Sequence, residues 1–120
     1  MFRFHKWRVY KKAREFRLSL HNQILTKFPK KEKYALSEQL RRAMDSVLLN
    51  IAEGSYRKSD RDFAHFLNQA LSFLYEVVSC LDLALDSKYI SSFQHKEFTD
   101  KAENLAKQLS AFTNKLKQLK

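Results

Sequence analysis

Residues 39–54 read QLRRAMDSVLLNIAEG, and this stretch decides the fold class. Leu36, Leu40, Ala43 or Met44, Val47 and Ile51 recur at steps of three and four, which puts them on one stripe of an α-helix that faces a core. Arg41, Arg42, Asp45 and Asn50 fall outside the stripe. Glu38 and Arg42 are spaced i,i+4 in the favourable order, and Arg41 and Asp45 in the weaker reverse order, each pair contributing about 0.2–0.5 kcal/mol. Gly54 stands where the periodicity stops. As the only glycine of the chain, it is expected to take the left-handed position just past a helix end. Asn50 and Glu53 are expected to hold that end and its turn through hydrogen bonds.

The same period runs outward in both directions. With one Gly, one Pro and apolar steps of three and four, the 120 residues read as a single all-α domain with short connections and no strands. Helix 1 is expected over residues 4–27, with Val9, Ala13, Phe16, Leu20 and Ile24 inward, ending before Pro29. Helix 2 is expected over residues 37–53 with Ser37 as N-cap, and helix 3 from a Ser59 cap to residue 86, with Asp60 and Asp62 in its first turn. Ser91 and Gln94 have capping-box spacing for helix 4, although Ser92 is an alternative cap. Phe98, Ala102, Leu105, Leu109, Phe112, Leu116 and Leu119 then step by four and three, the period of a bundle seam.

Charge is unevenly placed. Residues 1–33 hold eleven Lys or Arg against Glu15 and Glu32, so nearly all of the net +10 lies on helix 1 and the turn after it. A solvated face usually mixes both signs, whereas a one-signed run is the electrostatic footprint of a polyanion-binding surface. Arg3, Lys6, Arg8, Lys11, Lys12, Arg14 and Arg17 are the first candidates for phosphate contacts, with Phe4 and Trp7 among them for base stacking. Arg41 and Arg42 form a second candidate patch, joined by Arg57, Lys58 and Arg61 around the turn between helices 2 and 3. No base-reading motif is present, so RNA or DNA is expected to bind with weak sequence preference. Phe2, Phe4 and Trp7 among cations also suit an interfacial membrane helix, but the same helix has a core stripe to bury. No 18-residue apolar run and no export signal are seen, and the single Cys80 forms no internal disulfide, which together point to a cytoplasmic protein with Cys80 in its core.

Catalysis finds little support. There is no glycine-rich phosphate loop, the four histidines are scattered, and no Cys or His pair has metal-ligand spacing, so neither cofactor nor metal is expected. Asp82 with Asp86, and Glu97 with Asp100 and Glu103, share helix faces, but neighbouring lysines mark those faces as solvated surface.

Helix 3 confines His65, Asn68, Gln69, Ser72, Glu76, Ser79, Asp82 and Asp86 to one stripe and is apolar elsewhere. Either it is seated deeply against both neighbours, or one flank, including Phe73, is a subunit interface. Phe4, Trp7, Leu18 and Leu25 lie off the core stripe of helix 1 and offer a second contact line.

The run QLRRAMDSVLLNIAEGSYRKSDRDFAHFL resembles the motif of the small bacterial proteins named for intervening sequences in 23S ribosomal RNA genes. Gln39, Arg41, Arg42, Ala43, Ser46, Asn50, Ile51, Ala52, Glu53 and Gly54 carry the likeness. Phe28, Pro29 and Lys30 match the family's turn, and looser similarity runs from Val9 and Tyr10, where many relatives have Trp at the second position, through Phe63, Phe66 and Leu67. The resemblance implies an antiparallel up-down four-helix bundle assembling as a homo-oligomeric ring, a pentamer. It is similar too to the accessory variability determinant of diversity-generating retroelements, which implies work beside a reverse transcriptase and its RNA. The family name records gene location and not activity, so a protein-interaction scaffold without direct nucleic-acid contact is the alternative.

Overall fold

The computed structural model describes residues 1–32 and 35–118, and no strand occurs among them. Four helices follow in order: α1 Arg8–Gln23, α2 Leu36–Ser55, α3 Asp60–Asp86 and α4 Ser92–Gln118. Short 3-10 turns, Arg3–Lys6, Leu25–Lys27 and Lys30–Glu32, flank α1 and lead toward α2. The body is elongated, 47 × 23 × 20 Å.

Val9, Ala13, Phe16, Leu20 and Ile24 are all buried, as their spacing requires. Helix 1 nevertheless begins later than expected. Trp7 is extended (φ −75°, ψ 134°) and separates the Arg3–Lys6 turn from α1. The cause is packing. Trp7 lies off the core stripe, and the bend lets its indole stack on Phe63 at 5.3 Å between centroids and meet Phe112 edge-on at 5.1 Å. At the other end α1 tightens into the Leu25–Lys27 turn, and Phe28 is extended (φ −67°, ψ 147°), the conformation a following proline imposes.

Helix α2 corrects two expectations. It starts at Leu36, so Ser37 is inside the helix, and Ala35 occupies the cap position without a side-chain hydrogen bond. Packing of the half-buried Leu36 on the core draws the first turn one residue back. The helix also continues through Gly54 to Ser55, and no glycine has positive φ. A Cβ on Gly54 would lie 2.8 Å from the Cβ of Phe66 and 3.0 Å from Cδ1 of Phe63. Gly54 is therefore the point where α2 and α3 approach too closely for a side chain. The left-handed residue is Lys88 (φ 62°), just past α3. There Tyr89 N–H donates to the Ala84 carbonyl and Lys88 N–H to that of Leu85, both at 2.9 Å, the two bonds of a Schellman motif.

The remaining caps agree with the sequence. Ser59 Oγ accepts from Asp62 N–H at 3.1 Å. Ser91 Oγ accepts from Gln94 N–H and Gln94 Oε1 from Ser91 N–H, both at 3.0 Å. On α4, Phe98, Ala102, Leu105, Leu109 and Leu116 are buried and Phe112 half-buried, while Leu119 lies outside the described residues. Helices α1 and α4 pass in opposite senses. Trp7 meets Phe112, Phe16 meets Phe98 at 5.8 Å, and Gln94 Nε2 donates to the Gln23 carbonyl at 3.4 Å.

Helix α3 packs against both α2 and α4. Phe63, Leu67, Leu74, Val77 and Leu81 are buried, and Leu71, Phe73, Val78 and Leu85 are half-buried against the core, which leaves Tyr75 and Leu83 exposed. Most of its apolar circumference is thus occupied within the chain. Cys80 is part of that core, and burial, reinforced by Glu76, pushes its thiol up to about 11.

Candidate nucleic-acid interface

The stripe of α1 faces the core, so its cations must point outward, and Arg8, Lys11, Lys12, Arg14 and Arg17 are all exposed. What separates them is pairing. Lys12 is held by Glu15 at 3.4 Å and Arg17 by Asp45 at 2.5 Å. Arg8, Lys11 and Arg14 have no carboxylate partner among the described residues, and neither does Lys6 on the preceding turn. Arg3 donates to the Ser55 carbonyl at 3.1 Å and lies 5.8 Å from the Trp7 ring, which ties the chain's start to the end of α2.

The second patch is different. Arg41 binds Glu38 at short range and Asp45 at 3.1 Å, while Arg42 reaches Glu38 at 3.3 Å. Three guanidiniums, those of Arg17, Arg41 and Arg42, therefore share two carboxylates. Hydrogen bonding from Arg41 holds the Glu38 carboxyl below its ordinary range, and the Glu38 bond raises Arg41 in turn. These groups are exposed, so each pair adds little to stability. They do cancel charge. Arg57 is committed as well, to Glu53 at 3.0 Å and to the face of Phe66 at 4.3 Å. Around the turn after α2, Lys58 and Arg61 are the proposed cations that stay exposed without a carboxylate partner among the described residues.

Asn50 and Glu53 act within α2 and its turn. Asn50 Nδ2 donates to the Ser46 carbonyl at 2.8 Å, one turn back in the helix, and Glu53 binds Arg57.

The aromatic and apolar candidates are redistributed. Trp7 is occupied by Phe63 and Phe112, and Phe4 is half-buried against Tyr10 at 4.9 Å and His5 at 4.6 Å, so neither offers a free face as the sequence suggested. Leu25 and Phe73 pack on the chain's own core. Leu18 alone of the proposed interface set is exposed, at 59%. It has a partner that the sequence reading missed. Leu49, 65% exposed, faces it across a groove of about 700 Å³ between α1 and α2, whose rim carries Lys11 and Arg14. Leu49 lies off the α2 core stripe, and that was the available signal. Exposed rings near these cations are Phe2 at 62% and Tyr56 at 84%. Both lie at the end of the body where Arg3 meets Ser55.

His95 Nε2 lies 2.7 Å from Asp82 Oδ1, a link between α4 and α3. Among the described residues, no three His, Cys, Asp or Glu gather as a metal ion would require, and no helix is long and apolar enough to cross a membrane.

The family model described as 23S rRNA-intervening sequence protein matches residues 5–111. A similar solved structure is that of a protein of unknown function from the S23 ribosomal protein family of Bacteroides thetaiotaomicron. It is 25% identical, aligns over 88% of this chain and 95% of its own, and has a TM-score of 0.80. Comparison with curated proteins finds no match.

Proposed function

We propose that this chain, which belongs to the 23S rRNA-intervening sequence protein family, is a non-enzymatic, basic protein that binds RNA or DNA with weak sequence preference through α1. The observation that carries this is the set Arg8, Lys11 and Arg14, exposed on one helix without carboxylate partners among the described residues, while the guanidiniums of Arg41 and Arg42 on α2 are engaged by carboxylates. Unpaired cations contact phosphate, and such contacts fix position without reading sequence. Phe2 and Tyr56 supply exposed rings for stacking beside Arg3 and Lys58. The helices are read as an antiparallel up-down bundle that assembles into a homo-oligomeric ring, a pentamer, which would repeat the cationic face around its circumference. Family resemblance adds service beside a reverse transcriptase as the finer expectation.

Fluorescence anisotropy over a salt series tests the binding. Replacing Lys11 and Arg14 by Gln should weaken unrelated sequences equally, and each lost phosphate contact should flatten the slope of log K on log salt by about 0.7–0.9. No binding by the intact protein at low salt would refute the proposal. It would favour a protein-interaction scaffold, which the exposed Leu18 and Leu49 support.

A further inference from the structure

The other flank of α1 is polar. Between α1 and α4 lies a groove of about 290 Å³, floored by the buried Phe16 and Leu105. Arg8 and Lys12, one turn apart, and Ser19 further along form the α1 rim, and Lys101, Asn104 and Gln108 form the α4 rim. From Arg8 to Ser19 the helix rises about 16 Å, so the groove is a trough with its donors spread along its length.

Two features set this trough apart from ordinary solvated surface. Helix α4 pairs Lys96 with Asp100 at 3.1 Å and Lys107 with Glu103 at 3.7 Å, yet Lys101 has no carboxylate partner among the described residues and sits 5.0 Å from the centroid of the Phe98 ring. Asn104, Gln108 and Ser19 make no hydrogen bond within the described residues. Glu15 is the one acidic group in the lining, and it is held by Lys12, which leaves Arg8 and Lys101 as the uncompensated charges on opposite rims.

Resting on the nucleic-acid reading above, we infer that this trough seats the sugar-phosphate backbone of one nucleic-acid strand. Arg8 and Lys101 take phosphate oxygens from the two sides, and the Asn104 and Gln108 amides donate to phosphate or sugar oxygens along the same rim. The floor is closed, so no ring face is open to a base. Donors distributed along a trough, rather than converging on one point, suit a chain of phosphates better than a single small anion.

The test uses the full chain, a short labelled single-stranded RNA and a chloride series. Lys101→Gln should flatten the salt slope by about 0.7 and weaken binding about fivefold near 0.1 M salt. Lys107→Gln removes the same charge from a position on α4 outside the trough lining and should leave both near the unmodified values. Adding Asn104→Ala to Lys101→Gln should weaken binding further with no change of slope, because an amide displaces no counterion. Equal effects of the two lysine variants would overturn the trough, since net charge alone would then explain them. Displacement of the RNA by inorganic phosphate at matched ionic strength would overturn it in favour of a small-anion seat. A neutral Lys101→Gln in a protein weakened by the Lys11 and Arg14 replacements removes the trough and keeps the α1 reading. A silent intact protein removes both.

Discussion

Replacing Gly54 by Ala sets two known quantities against each other. In a helix interior the change from Gly to Ala is worth about 0.5–1 kcal/mol in favour of folding, because less backbone entropy is lost. Here the new Cβ would stand 2.8 Å from Phe66 Cβ and 3.0 Å from Phe63 Cδ1. Phe66 Cβ is fixed to the α3 backbone and cannot turn away. The Phe63 ring is buried and stacked beneath Trp7, so its rotation would disturb the Trp7, Phe63 and Phe112 cluster. Relief therefore requires α2 and α3 to move apart. Overpacking of this kind costs about 1–3 kcal/mol, and with a contact at 2.8 Å to a Cβ fixed on the α3 backbone Gly54→Ala should be destabilising by roughly 1 kcal/mol, up to about 2.5, after the entropic gain is subtracted. Gly54→Val should cost more, and Ser55→Ala much less than either. Urea denaturation followed by circular dichroism reads all three. Gly54→Asn separates the explanations, since a left-handed site accepts Asn better than Ala, whereas a close helix contact accepts it worse. Gly54→Ala as stable as the parent, or Asn milder than Ala, would refute the close-contact account.

Lys88→Gly should raise the melting temperature, because a left-handed non-glycine residue carries roughly 1–2 kcal/mol of backbone strain at φ 62°; an unchanged melt would show that strain relieved by its surroundings. Leu18→Glu should dissociate the proposed oligomer before it unfolds the bundle, and light scattering of the parent giving a mass near 14.3 kDa would remove that proposal at the outset. Glu38 is held below its ordinary value by Arg41, so its contribution is present above the normal carboxylate range and fades as pH falls through the lowered folded value. The stabilities of the parent and Glu38→Gln should accordingly converge in acid, and a gap that persisted there would assign the effect to packing.

The core and most helix limits were legible because they depend on period and local capping. The stripe of α1, the Ser59 cap and the Ser91 to Gln94 capping box each need only residues within a few positions of one another. What could not be read depends on distant partners. Trp7 bends the chain to reach Phe63 and Phe112, a preference that no propensity near residue 7 encodes. Gly54 looked like a helix stop because local chemistry gives a lone glycine that role, whereas the constraint comes from Phe63 and Phe66 on the next helix. The left-handed cap at Lys88 carried no glycine to announce it. Pairing set the limit for the candidate site. Counting cations placed Arg41, Arg42 and Arg57 beside Arg8, Lys11 and Arg14, but carboxylates within one or two turns pair only with the first three.

The two flanks of α1 make nucleic-acid binding and self-association compatible. The α1–α2 groove exposes Leu18 and Leu49, which suit a protein surface, with Lys11 and Arg14 on its rim; the α1–α4 trough is polar, with Arg8 and Lys101 uncompensated, and suits a backbone. A second copy seated on Leu18 and Leu49 leaves the α1–α4 trough open, with Lys11 and Arg14 at the edge of the contact. Linked copies would then present several troughs to one strand, and affinity would rise through effective concentration without any new contact. This separates two kinds of loss. Leu18→Glu should weaken binding to long RNA far more than to an oligonucleotide that fills one trough, while Lys101→Gln should weaken both. Equal losses on long and short RNA for Leu18→Glu would mean that Leu18 lies at the nucleic-acid contact itself, beside Lys11 and Arg14, and that no second copy is seated on it.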